Sequence, residues 1–274
     1  MKIITKSLSV LLFATFVFFT ARAQKLPNVQ TESLRAPANI KVDGKATEWA
    51  NNFQAYNHAV DVFYTVSNDD SKLYLTVQAT DKQVMNKILR GGVTFTVQPS
   101  GKKTLKGAVS ITYPVFDEKS IPFVPPVFGV RLGPGVIIHV TPGMPDGLEK
   151  MKEAQRDSVM IEYNKKLDFC KYIGVTGIKT VDSLISVYNI QGINAAQRFD
   201  NKMNYTCELA IDLKLLGLKA AEASKFAYRI AVNPFSALNV PDLHPLKAAG
   251  DSVRTPLAGS AITDMWAEYT LAKR

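Results

Sequence analysis

Side chains able to do chemistry are sparse in this 274-residue chain, and their spacings are loose. Its three histidines, His58, His139 and His244, stand far apart, with no second His at i+2 or i+4 and no Cys at ligand spacing. A zinc centre needs at least three converging N, S or O ligands, and this pattern does not supply them. No Gly-x-Ser-x-Gly elbow, no phosphate-cradling Gly-rich loop ending in Lys-Ser/Thr and no Cys-x-x-Cys-His occurs. Gly250-Asp-Ser252 puts a serine beside an aspartate in a Pro- and Gly-rich loop, where it reads as a turn. Carboxylates remain. Two of them about 5 Å or about 6.5–9.5 Å apart would make a glycosidase. Asp43, Glu48, Asp61, Asp69, Asp70, Asp117, Glu118, Asp212 and Asp264 are available, and only the fold decides whether any pair meets. No catalytic residue is assigned.

The elements that would position these groups are strands. Val60, Val62, Tyr64 and Val66 alternate with Asp61, Phe63 and Thr65, and period two over this length means a strand. Ser67-Asn-Asp-Asp-Ser71 is turn chemistry, and Leu73, Leu75, Val77 and Ala79 alternate in the partner strand of a hairpin. Asp81 is placed to cap a short helix with an apolar stripe of Val84, Met85, Ile88 and Leu89, stopped by Gly91. Val93, Phe95 and Val97 form a third strand, and Val109, Ile111 and Tyr113 continue the sheet. Such strands, each with one apolar face, need a second layer to cover them.

Val42-Asp-Gly-x4-Trp49, followed by a strand, an acidic turn, Leu73-Tyr-Leu and Thr80-Asp81, resembles the opening of the family 9 carbohydrate-binding modules, within the wider DOMON-like group of β-sandwiches. Tyr205-Thr-Cys-Glu-Leu-Ala-Ile-Asp-Leu-Lys-Leu-Leu-Gly-Leu218 resembles that family's strand running into a Leu-Gly turn. Phe226 to Asn233 is similar to its next strand and Trp266 to Leu271 to its last. The resemblance implies an all-β fold, an antiparallel β-sandwich with immunoglobulin- or jelly-roll-like layers. It implies a glycan as ligand, held between aromatic rings, and leaves open a calcium ion on loop carboxylates. No other cofactor is expected. Trp49 and Trp266 themselves read as packing residues, since aromatic rings in such strands usually serve the core.

Met1 to Ala23 reads as a signal peptide. Lys2 and Lys6 form its basic start, Leu8 to Phe19 its apolar run, and Ala21-Arg-Ala23 its recognition site, with cleavage between Ala23 and Gln24. The apolar run is short for a membrane span, so the expectation is an exported protein, periplasmic or extracellular, without a membrane span. Residues 24–274 then form one domain. The net charge of +9 is spread along the chain, whereas a nucleic-acid groove clusters Lys and Arg among aromatics. A nucleic-acid partner is therefore not expected. Cys170 and Cys207 are the only cysteines. An oxidising compartment permits one disulfide between them, and two buried free thiols are the alternative.

Prolines 114, 122, 125, 126, 134, 142 and 145 and five glycines punctuate the next stretch, a density that forbids long regular elements. Residues Phe116 to about Val181 read as a loop-and-helix insertion, with Val136 to Val140 a short strand and Pro145 opening a charged helix through about Lys166. Strands return at Ser183 to Asn189 and Ile193 to Phe199. Because binding groups tend to sit on loops held by a scaffold, Phe123, Phe128, Arg131 and His139 are the expected ligand residues. The phenylalanines would stack on a sugar, and Arg131 and His139 would bond its hydroxyls. The alternative is that the rings anchor the insertion. The functional expectation is an exported, non-catalytic carbohydrate-binding module. A glycan-processing enzyme whose carboxylates meet only in the fold is one alternative. A bacterial envelope assembly protein, with the insertion contacting a protein partner, is the other.

Overall fold

A computed structural model of the protein describes residues 25–50, 52–115, 128–133, 136–140, 150–234 and 261–274, with 128–133 and 136–140 described by backbone alone. The expected hairpin is present. After β1 (Ala55–Asn57), β2 (Val62–Asn68) pairs antiparallel with β3 (Lys72–Ala79), Ser67 opposite Tyr74. Asp69 closes the turn, its Oδ1 accepting the backbone N–H of Ser71 and of Lys72, both at 2.7 Å. Asp81 caps α1 (Lys82–Gly91) by accepting from the N–H of Gln83 and Val84, and the helix buries Met85, Ile88 and Leu89. It ends at Gly91, the expected stop, and Gly92 caps it with φ +76°, a conformation glycine adopts without steric cost.

The remaining elements are β4 (Val93–Gln98), β5 (Val109–Val115), β6 (Phe128–Gly133), β7 (Val136–Val140), α2 (Glu153–Leu167), β8 (Tyr172–Thr176), β9 (Leu184–Ser186), β10 (Ile193–Phe199), β11 (Tyr205–Asp212), β12 (Lys225–Val232) and β13 (Thr263–Thr270). They form two antiparallel sheets, one in the order β1-β2-β3-β11-β10 and one in the order β13-β12-β4-β5-β8-β9, with β6 and β7 a separate ribbon. The fold is an all-β sandwich with a helical insertion. Between the sheets lie Tyr64, Leu75, Tyr205 and Leu209 from the first and Phe95, Ile111, Phe226 and Tyr228 from the second, all buried. The two central tyrosines keep their hydroxyls satisfied inside this core: Tyr64 Oη lies 3.0 Å from Tyr228 Oη and accepts the Gln30 N–H.

Three expectations need correction. The insertion does not reach Val181, because Tyr172–Thr176 is a full member of the six-stranded sheet, paired with β5. The strand expected over Ser183 to Asn189 is three residues long, since the chain turns away at Ser186. The charged helix begins at Glu153. Its Asn164 then closes the edge of the five-stranded sheet, accepting the Phe199 N–H at 2.8 Å and donating to the Phe199 carbonyl at 3.0 Å. Edge strands left open invite pairing with other chains, and this contact covers part of that edge.

A sandwich has four sheet faces, and two form the core. The outward face of the five-stranded sheet is covered by the segment before β1. Ala46, Trp49 and Phe53 make a second small core there with Leu26, Leu34, Ile40 and Phe63. Trp49 donates its indole N–H to Thr76 Oγ1 at 3.2 Å. Glu208, on β11, fastens the same segment: its Oε2 accepts the N–H of Asp43 at 3.0 Å and of Gly44 at 2.9 Å. Gly44 has φ +79° and lies against the backbone of Gln197 and Arg198, so any Cβ there would collide. The Asp-Gly-x4-Trp spacing is thus a structural device, joining a turn, a carboxyl and a ring over one sheet face.

Glu208 is 3% exposed. Burial pushes its carboxyl up to about 7 from 4.5, the Gly44 and Asp43 N–H groups oppose the shift, and the negative charges of Glu48 and Asp43 add to it. The folded protein therefore holds this proton more tightly than the unfolded chain. The resulting stability is fully present below about pH 4.5 and is lost as pH rises through about 7, amounting to about 3 kcal/mol. Urea midpoints should fall between pH 5 and 8, and Glu208→Gln should flatten that slope, the amide keeping both backbone bonds and donating to Thr76. A wild-type midpoint that does not fall over this range would refute the assignment.

Candidate functional site

Three of the residues expected to hold a ligand lie on the described two-stranded ribbon. Phe128 and Arg131 are on β6 and His139 on β7. The register sets Gly129 opposite His139 and Phe128 opposite Val140, so positions 131 and 139 belong to one face of the ribbon and position 128 to the other. Phe123, Ala23 and Gln24 lie outside the described residues. His58 is exposed and meets Tyr56 edge-on at 4.9 Å.

Cys170 and Cys207 are both free and buried, so the described structure has no bridge between them. Burial pushes the Cys170 thiol up to about 12 and raises Cys207 as well, the latter further lifted by the Glu208 charge. Thiols so deprived of thiolate character are poor nucleophiles. The carboxylates fare similarly. Asp61 accepts from Tyr56 Oη, Asp70 pairs with Arg35 and Arg274, and Asp212 with Lys72 and Lys214. Asp43 and Glu48 are near enough for their charges to raise the Glu208 carboxyl, a residue legible in the sequence only as a polar position in an alternating strand. One oxygen of Glu208 is taken by two backbone N–H groups, which suits holding a turn. Among the described residues, no group of three His, Cys, Asp or Glu side chains is arranged to hold a metal ion.

The fourth sheet face, the outward side of the six-stranded sheet, has a different character. Met265, Ala267 and Tyr269 point into the core, so Trp266 points away from it and is half-buried. Its expected packing role is thereby corrected. Cross-strand registry lines up Trp266, Arg229, Thr96, Ser110 and Thr176 in one row, and Asp264, Ala231, Thr94, Thr112, Gly174 and Leu184 in the next. Arg229 Nε donates to Asp264 Oδ2 at 2.6 Å. Thr94 and Thr112 share a hydrogen bond of 2.7 Å, and Thr96 and Ser110 one of 2.9 Å. Asn233 Nδ2 fixes the ladder at its end, donating to Thr94 Oγ1 and to the carbonyls of Gly91 and Gly92.

No family model matches this chain, and no curated protein does.

One large π surface stands at the edge, a paired cation and anion stand beside it, and hydroxyls follow across the strands. Six strands at about 4.8 Å spacing make the face roughly 24 Å wide. Thr96, Ala227 and Ala231 are buried, while Thr94, Ser110 and Thr112 are half-buried. Among the described residues no helix is long and apolar enough to cross a membrane.

The thiols give a direct check. Native protein at pH 8 should react negligibly with Ellman's reagent, and unreduced protein in denaturant should release two equivalents. Unfolded, unreduced protein that shows no reactive thiol would mean that Cys170 and Cys207 are bridged.

Proposed function

We propose that the protein is an exported, non-catalytic binding module whose ligand is a glycan, held on the outward face of the six-stranded sheet. The carrying observation is the placement of Trp266 beside the Arg229–Asp264 pair and the Ser/Thr ladder. A pyranose has a flat C–H face that packs on an indole and an equator of hydroxyls that act as both donor and acceptor. A guanidinium offers only donors and a carboxylate only acceptors, so the pair can serve both roles of neighbouring sugar hydroxyls. The order of motifs resembling family 9 carbohydrate-binding modules supports a glycan as the ligand class. The basic start, apolar run and Ala-x-Ala of residues 1–23 support export.

A glycan array followed by calorimetry on the best binder tests this. Trp266→Ala should weaken binding by about 2 kcal/mol or more, roughly thirtyfold, with little change in Tm, because Trp266 lies outside the inter-sheet core. Unchanged affinity in a folded Trp266→Ala protein would remove this face as the site. Measured turnover of the bound glycan would replace the module with an enzyme.

A further inference from the structure

Four large apolar side chains stay in water along the opposite edge of the same sheet: Phe169 at 63% exposure, Leu184 at 45%, Tyr188 at 75% and Ile190 at 98%. Soluble proteins rarely gather such residues without a use for them. The loop that carries them is fastened in place. Asn189 Nδ2 donates to the carbonyls of Ser186 at 2.8 Å and Ile193 at 2.6 Å, and its Oδ1 accepts the Gln191 N–H at 3.0 Å. Val187 N–H bonds the Lys171 carbonyl at 2.8 Å, tying the loop to the strand behind it. Asn189 is turned inward, and its neighbours Tyr188 and Ile190 are held outward on a braced loop. Lys171 Nζ donates to Tyr188 Oη at 2.8 Å and sits 5.1 Å from the ring centroid.

The geometry points to docking on an anionic lipid surface, with Ile190 and Phe169 entering the acyl boundary and the Tyr188–Lys171 pair lying at the headgroups. Tyrosine and lysine, apolar bodies with polar tips, are the side chains that settle in that layer. The net charge of +9, which falls to +6 when Lys2, Lys6 and Arg22 leave with residues 1–23, favours an anionic surface. A protein partner suits the patch less well. The four side chains expose roughly 500 Å², taking about 150–250 Å² for a whole aromatic side chain, and a stable protein interface takes about 800 Å² from each partner.

Co-sedimentation of the full protein with phosphatidylcholine vesicles, with and without phosphatidylglycerol as roughly a third of the lipid, is the test. Binding should appear with the anionic vesicles and weaken as salt is raised. Ile190→Asp and Tyr188→Ser should each lower it about tenfold. Both positions are exposed, so Tm should not move. Trp266→Ala should sediment like wild type, which keeps this result separate from that of the glycan site. Absence of sedimentation with anionic vesicles, or equal sedimentation of Ile190→Asp, would overturn the proposal. Self-association abolished by Ile190→Asp, without vesicle binding, would overturn it too by making the edge a contact between copies of the chain.

Discussion

Two backbone N–H groups on one oxygen of Glu208 hold together more of this molecule than their number suggests. They anchor the Asp43–Gly44 turn, and the turn carries Ala46, Trp49 and Phe53 onto the outward face of the five-stranded sheet. That face bears Thr65, Thr76, Thr206 and Glu208, all buried, groups that are costly to remove from water unless they find partners. Thr76 receives the indole N–H, Thr206 the amide of Gln78, and Glu208 the two backbone groups. The covering segment thus supplies both the apolar lid and part of the hydrogen bonding beneath it. Continuing toward its start, it reaches both sheets: Gln30 exchanges hydrogen bonds with Val66, and Leu34 with the Tyr269 hydroxyl.

Most strands were legible because alternation is a local property. β2, β3, β4, β11 and β12 follow runs in which apolar residues recur at every second position. β8 was not, since Tyr172-Ile-Gly-Val-Thr176 is five residues long, has a glycine at its centre and follows directly on the charged helix of the stretch read as an insertion. Trp266 shows a subtler failure. Its strand places Met265, Ala267, Tyr269 and Leu271 at one parity and Trp266 at the other, so the sequence held the sign that this ring faces away from the core. General preference of aromatics for cores outweighed the parity, and the parity was the better guide. Glu208 was beyond reach for another reason. Its burial depends on residues 43 and 44, about 160 positions earlier in the chain, and no local pattern encodes a contact of that separation.

The two cysteines share one neighbourhood of the core: both thiols bear on Tyr113 and Tyr205, Cys207 on β11 opposite Val77 and Gln197 and Cys170 just beyond the end of α2. An exported protein permits a bridge, and here both thiols are free. Tyr113 Oη donates to the Cys170 carbonyl at 3.3 Å and Tyr205 Oη to Gln197 Oε1 at 2.5 Å. These bonds fix the surroundings around side chains that behave as small apolar groups.

The two proposed contacts lie at opposite edges of one sheet, Trp266 on β13 and the braced loop beyond β9. Between them stand four strands joined by continuous antiparallel pairing, so the separation of roughly 24 Å is set by a stiff element rather than a linker. A ligand at one edge therefore has no steric reason to exclude a surface at the other. The shared row matters here: Leu184, part of the apolar edge, is the last member of the line that runs through Gly174, Thr112 and Thr94 to Asp264. A lipid surface touching β9 would leave this outward face standing at an angle to it, with Trp266 at the far margin. Strand order fixes the distance between the two edges, which leaves room for a ligand at Trp266 and a surface at β9 together.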